Sequence, residues 1–550
     1  FLQQLHKTTN NQVEEDTTIM SFITQEKFVA FFKMRKKQVL FWSILALAFI
    51  LRCIRFAAVP DGINQDEAMG AMDAWALSKY GTDRYGTFLP VHFEAWKYSQ
   101  MSVLLSYCMV PFIKVFGFST VTVRLPMLLV SCGAVALVYL VSEKLFDERI
   151  ALVAMALTAV NPWQFMQSRW SLDCNLFPHV FLLAFYLLLL GLEKRRYLYV
   201  SMLFFGLTFY CYGIAAYSVT AFLFVFFIWC LWKKQLKFRE GLLCAVLLTV
   251  VALPEVIVLG INAIHFGRTI ETPFFTMQYF PDSLRSADIL LLNFSFAQLG
   301  RNAWALFSRV FLQLPDIFFN SIPAFGPLYH VSIPFVFIGI IVFTIRLFKE
   351  KQIEKQMQML ALWGFLITGI WVGLITYEVN INRVNIIFYP VIVLCAYGIS
   401  LAVDKCRKLL PVIMAVYVVS SVLFFTTYFT EYAEESRQYY NRDFLDAVAE
   451  ADGMEGYDSL YITGNLGWQF NQSATEILIQ YACRIDARYY QSEDYTQRYH
   501  YIYPEKSGAE LAEAVGDGLM VLYEGDLQYL QFPYEVIDTV GEYSLVTARF

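Results

Sequence analysis

Three carboxylates, Asp66, Glu67 and Asp73, follow one another closely just after the first long apolar run of the chain ends. Acids at such a place suit general-base chemistry, in which a carboxylate takes the proton of an attacking hydroxyl and contributes roughly 10²- to 10⁴-fold. Asp66 and Asp73 are seven apart and share a helix face if the segment is helical. The turn signal Pro60-Asp61-Gly62 before them marks a helix start. A structural role competes for the same residues. Asn64 suits an N-cap, Glu67 three residues on closes a capping box, and acids in a first turn suit the helix dipole.

Basic residues at the ends of apolar runs form the second set: Lys97, Arg124, Arg169, Arg301 and Arg383. A charge at a membrane edge is often a snorkelling anchor. Arg169, in Gln167-Ser168-Arg169-Trp170-Ser171-Leu172-Asp173, and Arg383, after Asn380-Ile381-Asn382, lie instead in short turns. There a guanidinium has the fork geometry to hold a phosphate. His92, His179, His265 and His330 show no metal-ligand spacing, so no metal-binding residue is assigned; a divalent metal beside the acids stays open, and no other cofactor is implied.

The elements that must position these groups are membrane helices. Of 550 residues, 57% are hydrophobic and 16% charged, with a net charge of -5. That excludes an ordinary soluble domain and leaves no basic footprint for nucleic acid. Nine of ten cysteines lie in or beside apolar stretches, so no disulfide framework is expected. Runs of about 20 apolar residues predict spans near 39-59, 124-143, 149-165, 174-191, 197-212, 214-232, 240-262, 330-348, 358-377, 384-403 and 409-428. The run from Tyr197 to Trp232 is too long for one helix and predicts a hairpin near Gly213. The shorter stretch 101-117 is read as interfacial. With it outside the membrane, the clusters at Lys33-Lys37, Lys144-Arg149, Lys194-Arg196, Lys233-Arg239, Arg346-Lys355 and Lys405-Lys408 share one side, as the positive-inside rule requires.

The expected fold is therefore an α-helical polytopic membrane protein of eleven spans with interfacial helices in its first outer loop. A cytoplasmic segment (1-38) precedes a membrane domain (39-429) with long outer loops 60-123 and 264-329, and a small extracytoplasmic α/β domain (430-550) follows. In that tail 439-451 and 509-514 read as helical, and 459-463, 476-481, 519-523 and 544-547 as strands. The short inner loops leave the outer face as the place for chemistry.

Taken in order and at these depths, several motifs resemble the C-type (GT-C) membrane glycosyltransferases, especially the branch of protein O-mannosyltransferases and lipid A aminoarabinose transferases. They are Asp66-Glu67, Val115-Phe116-Gly117-Phe118, Val123-Arg124-Leu125-Pro126, Asn161-Pro162-Trp163, Ser168-Arg169, Asp173 and Asn382-Arg383. The resemblance covers about residues 39 to 430. It implies that Asp66 and Glu67 form the catalytic centre, with Asp66 as base in an inverting transfer. It also implies a polyprenyl-phosphate-linked sugar as donor, and a glycan, lipid or protein acceptor in the cell envelope. Lys97, Arg124, Arg169, Asp173, Asn382 and Arg383 are the implied substrate-binding residues, with Arg169 and Arg383 on the lipid phosphate. Around Lys97 the chain departs from the family, reading Trp96-Lys97-Tyr98-Ser99-Gln100 where many relatives have a Lys-Pro-Pro-Leu type stretch. A transporter or lipid flippase is the alternative, for which Glu255 beside Pro254 in the seventh span argues. A non-catalytic scaffold is the third reading.

Overall fold

The computed structural model describes residues 37-96, 99-281, 290, 294-469, 471-507 and 511-549. Helix α1 (37-53) enters the bundle and leads through a loop to α2 (Gln65-Tyr80), the hairpin β1 (His92-Ala95) and β2 (Ser99-Ser102), and α3 (Leu104-Phe116). The bundle continues with α4 (Thr120-Leu145), α5 (Glu148-Val160), α6 (Pro162-Gln167), α7 (Asp173-Glu193), α8 (Arg195-Leu207), α9 (Ala215-Trp232) and α10 (Phe238-Ala263). A long connection carries β3 (Ile270-Glu271), β4 (Thr276-Met277) and α11 (Phe296-Leu306). Then come α12 (Ile333-Lys349), α13 (Ile353-Ile375), the single turn α14 (Ile381-Val384), α15 (Phe388-Lys405) and α16 (Leu409-Phe429).

Among the described residues eight helices are long and apolar enough to cross a membrane. The segments expected to supply the other three spans hold α1, described from residue 37, and the shorter helices α5 and α8. At 13 residues, α5 and α8 are roughly 20 Å long, but each runs on into further helix, α6 after α5 and a 3-10 turn after α8. The break between α5 and α6 is chemical. Asn161 caps α6 by accepting from the Gln164 amide, and Pro162 takes the first helical position, where no N-H is needed. The expected hairpin falls between Tyr210 and Ala215. Helix α3 is only 13 residues long, too short to cross. Close helix packing depends on small residues: a Cβ at Gly339 or Gly398 would overlap the carbonyl of Leu394 or Phe335, so α12 and α15 touch backbone to backbone.

After α17 (Glu431-Tyr439) and α18 (Arg442-Gly453) the chain forms a five-stranded mixed sheet in the order β6-β5-β7-β9-β8. Its strands are β5 (Leu460-Thr463), β6 (Tyr499-Ile502), β7 (Leu519-Tyr523), β8 (Tyr534-Val540) and β9 (Tyr543-Ala548). β5 runs parallel to β6 and β7, and the β7-β9-β8 half is antiparallel. One strand expectation is overturned. Residues 476-481 lie inside α19 (Gln472-Ala482), started by the Asn471 side chain, which accepts from the Ser473 and Ala474 amides. The apolar run there is one buried helix wall, which periodicity alone does not separate from a buried strand.

The sheet unit grips the first loop. The amide of Ile63 donates to Tyr440 O at 2.7 Å, Asn441 Nδ2 donates to Ile63 O at 3.1 Å, and Arg437 pairs with Asp61 at 2.8 Å. Gly62, at φ +100°, lies so close to the Tyr440 carbonyl that a side chain would collide with it.

Candidate active site

Asn64 caps α2 as expected, its side chain accepting from the Asp66 amide at 3.0 Å. Glu67 does not close a capping box. Its carboxylate turns inward to Arg124, Oε1 to Nε 2.9 Å and Oε2 to Nη2 2.8 Å, and Oε1 also accepts from the Ser171 amide at 2.8 Å. Both side chains are fully buried, and a buried guanidinium is a stronger partner than a helix-end amide. The remaining N-H groups of Arg124 reach the carbonyls of Ala57, Pro60 and Gly62, at 3.3, 2.9 and 2.8 Å.

Arg169 acts in the same way on carbonyls slightly earlier in the same segment. It donates to the carbonyls of Arg52 (2.8 Å), Arg55 (2.8 Å) and Val59 (3.0 and 2.9 Å), so it caps the end of α1, while the rings of Phe165, Tyr428 and Phe429 surround it at 5.4-5.7 Å. Arg124 was expected among the substrate-binding residues and Arg169 at the donor phosphate; both are buried, and their N-H groups hold residues 52-62 in the conformation that launches α2. Apart from the Arg55 carbonyl, which also accepts from the Ala58 and Val59 amides at 3.1 Å, these carbonyls have no backbone donor among the described residues, and the two guanidiniums satisfy them.

With Glu67 consumed, Asp66 is the member of the acid pair that remains partly exposed. Asp73, on the same helix face two turns on, is sealed under the 81-86 turn, where Arg84 binds it through Nη1 (2.5 Å) and its backbone amide (3.0 Å). Burial pushes the Asp73 carboxyl up to about 7, against the opposing pull of Arg84. Asp73 therefore stands apart from Asp66 as a structural acid. Asp173, in the first turn of α7, accepts from the Ser102 amide at 3.2 Å and ties the β1-β2 hairpin to the segment that Glu67 already holds.

The local geometry joins α2, the hairpin and the 161-174 segment. Residues 101-257 match the family model described as dolichyl-phosphate-mannose-protein mannosyltransferase. That stretch is under a third of the chain, and over it the sequence resembles this mannosyltransferase family. No curated protein matches the chain's sequence significantly. Its fold resembles that of ArnT from Cupriavidus metallidurans, solved bound to undecaprenyl phosphate, with a TM-score of 0.55 at 11% identity over 92% of this chain and 97% of that one. It also resembles the apo oligosaccharyltransferase of Archaeoglobus fulgidus, with a TM-score of 0.51 at 12% identity over 90% of this chain and 70% of that one.

The second half of the candidate site comes from the turn before α15. Asn382 Oδ1 accepts from Gln167 Nε2 at 3.4 Å. Arg383 is partly exposed, and among the described residues its guanidinium has one hydrogen bond, from Nη1 to Glu378 O at 3.3 Å. Lys97 lies outside the described residues. Sequence reasoning passed over a set of uncharged polar groups at this level. Asn385 Nδ2 bonds the Cys174 carbonyl at 2.8 Å, while Asn385 Oδ1, Asn175 Nδ2, Ser102 Oγ, Trp170 Nε1 and Gln65 Oε1 are buried with no hydrogen-bond partner among the described residues. Such groups call for partners that both donate and accept, as sugar hydroxyls do. Amides in apolar sequence carry little signal by spacing, but their presence inside long apolar runs was itself legible. Among the described residues no three His, Cys, Asp or Glu side chains converge as a metal would require.

Proposed function

We propose that the chain transfers a sugar from a polyprenyl-phosphate donor to an acceptor hydroxyl at the outer face of its membrane, with inversion, and that Asp66 is the base. The observation that carries this reading is the divergence of two adjacent carboxylates: Glu67 is locked by Arg124 and Ser171, and Asp66 is held beside it on a rigid helix start yet partly exposed. A base needs that combination of fixed position and access. As the acceptor oxygen attacks the anomeric carbon, Asp66 takes its proton, the bond from that carbon to the phosphate oxygen breaks, and the lipid phosphate leaves.

Arg383 is the side chain proposed to meet the phosphate, since its guanidinium is the least consumed of those expected there. Charge stabilisation at a leaving oxygen is often the larger share of catalysis. Asn175, Asn385 and Ser102 are proposed to bind the sugar, and Asp173 and Asn382 to hold them in place. ArnT, of similar fold, is known with undecaprenyl phosphate, which supports a lipid donor here. Eleven spans, a cytoplasmic N-terminal segment (1-38), a membrane domain (39-429) and an extracytoplasmic sheet domain (430-550) complete the proposal. Glu255, the acid that favours transport, binds His92 Nδ1 of the loop hairpin at 2.8 Å and so serves to attach that hairpin to α10.

The test is Asp66→Asn. Release of polyprenyl phosphate, with a supplied lipid-linked sugar and acceptor, should fall by at least about a hundredfold, the low end of base catalysis, while thermal unfolding stays near that of the parent. A folded variant with normal turnover removes Asp66 as the base.

A further inference from the structure

Helix α11 is built inside out. Its inner face carries Gln298 and Asn302, both buried, whereas Phe296, Trp304 and Phe307 on the outer face are 81%, 62% and 39% exposed. Gly300 and Ala303 complete that outer stripe; a Cβ at Gly300 would meet open space. The spacing 296, 300, 303, 304, 307 traces one helix face, and every residue on it is apolar. In contact with water this arrangement is unfavourable twice over, because polar groups are hidden and large aromatics displayed.

The buried amides have a definite task. Asn302 Nδ2 donates to the carbonyls of Leu374 (2.9 Å) and Thr376 (2.5 Å), and Gln298 Nε2 to that of Tyr377 (2.6 Å). These carbonyls belong to the end of the membrane helix α13 and the residues just beyond it, where the helix itself offers no donors. In water such carbonyls would be hydrated. Side-chain amides brought from another element are needed where water is scarce. Leu306 completes the seat by packing on Gly373, where a Cβ would press on its side chain. Helix α11 is thereby fixed across the end of a spanning helix, at the same end of the bundle as the 376-384 turn and Arg383. On α13 itself Ile367 is 53% exposed.

We infer that α11 lies in the lipid headgroup layer on the active-site side of the membrane, with Phe296, Trp304 and Phe307 in the acyl boundary. Arg301 fits this placement. It is exposed beside the aromatic stripe and steadied by Gln298 Oε1, at 3.0 Å from Nε and 2.5 Å from Nη2, so its charge can face the phospholipid phosphates. Aromatic rings and a cation at one level are the side chains that suit the membrane interface. The occupant of this surface is bulk phospholipid. The long connection between α10 and α12 is thus in part a membrane element, and a lipid-borne substrate approaching Arg383 passes a wall that is already in lipid.

The experiment is photo-crosslinking of the full chain in phosphatidylethanolamine-phosphatidylglycerol vesicles, with p-benzoylphenylalanine replacing Phe296 or Trp304. Val419 on α16, 56% exposed, is the lipid-facing reference, and Ile537 on β8, 43% exposed, is the reference away from lipid. Phospholipid adducts at 296 and 304 should match those at 419 and exceed those at 537 by at least about tenfold. The Phe296 replacement keeps the phenylalanine ring and adds its benzoyl group at a position that is 81% exposed, and so keeps the test valid if the Trp304 variant fails to fold. Adducts at 419 but not at 296 or 304, or adducts at 296 and 304 with a second copy of the chain, overturn the inference. The readout needs no turnover, so its failure is distinct from failure of the proposed reaction.

Discussion

Glu67 and Arg124 meet side by side, through contacts of 2.9 and 2.8 Å, with neither side chain exposed. Removing one partner of such a pair leaves a buried charge and costs about 3-5 kcal/mol, whereas removing both together costs much less than the sum. Glu67→Gln and Arg124→Met should each lower the thermal midpoint of the purified protein in detergent, and the double variant should recover part of the loss. Strictly additive losses would mean that the two side chains act separately. Either single variant loses turnover through disorder of α2, so its residual activity should track its folded fraction.

Arg169 supplies four hydrogen bonds to three carbonyls around the end of α1. Lysine has the charge but not the planar fork, so Arg169→Lys should leave at least one carbonyl without its donor, at about 1-3 kcal/mol. Thermal unfolding of Arg169→Lys reads this loss. If Arg169 bound donor phosphate instead, the variant would keep its midpoint and show a raised donor KM.

The membrane class, most helix limits and the hairpin between Tyr210 and Ala215 were legible because apolar run length is a local property of sequence. The depth of the arginines was not. Arg124, Arg169 and Arg383 look alike in sequence, each at the end of an apolar run, and only the fold distinguishes those turned inward to carbonyls from the one left at the surface. The same holds for Glu67, whose capping-box spacing is correct although its carboxylate answers to a residue 57 positions away. Residues 476-481 were misread because a buried helix wall and a buried strand share composition. Strands β6 and β8 went unnoticed; β6 is four residues long, and the described residues of β8 are largely exposed on an edge.

Arg383 has one hydrogen bond among the described residues, to the Glu378 carbonyl, so its substitution costs the fold little. If it meets the donor phosphate, Arg383→Ala forfeits a charge-assisted contact worth about 1.5-3 kcal/mol. Turnover against lipid-linked donor should then show kcat/KM reduced by roughly 10- to 150-fold with an unchanged thermal midpoint. Lys97→Ala, in a stretch that departs from the family, should have the smaller effect. Equal and negligible effects would leave both residues as membrane anchors.

The orientation proposed above rests on basic clusters that share one side. Arg196, before α8 is well under way, and Arg239, in the first turn of α10, are both exposed, as is Glu505 beyond the sheet's second parallel strand. Single cysteines at 196 and 239, in a background whose accessible native cysteines are replaced, should react with a membrane-impermeant maleimide only after permeabilisation. One at 505 should react in intact cells. The physical ground is that positively charged loops are retained on the cytoplasmic side, while Asp66, Arg383 and the sheet domain that grips Ile63 share the opposite end of the bundle. Labelling of 196 from outside, or protection of 505, would turn the molecule over. The proposed base would then face the cytoplasm, and the donor would have to be used on the inner leaflet.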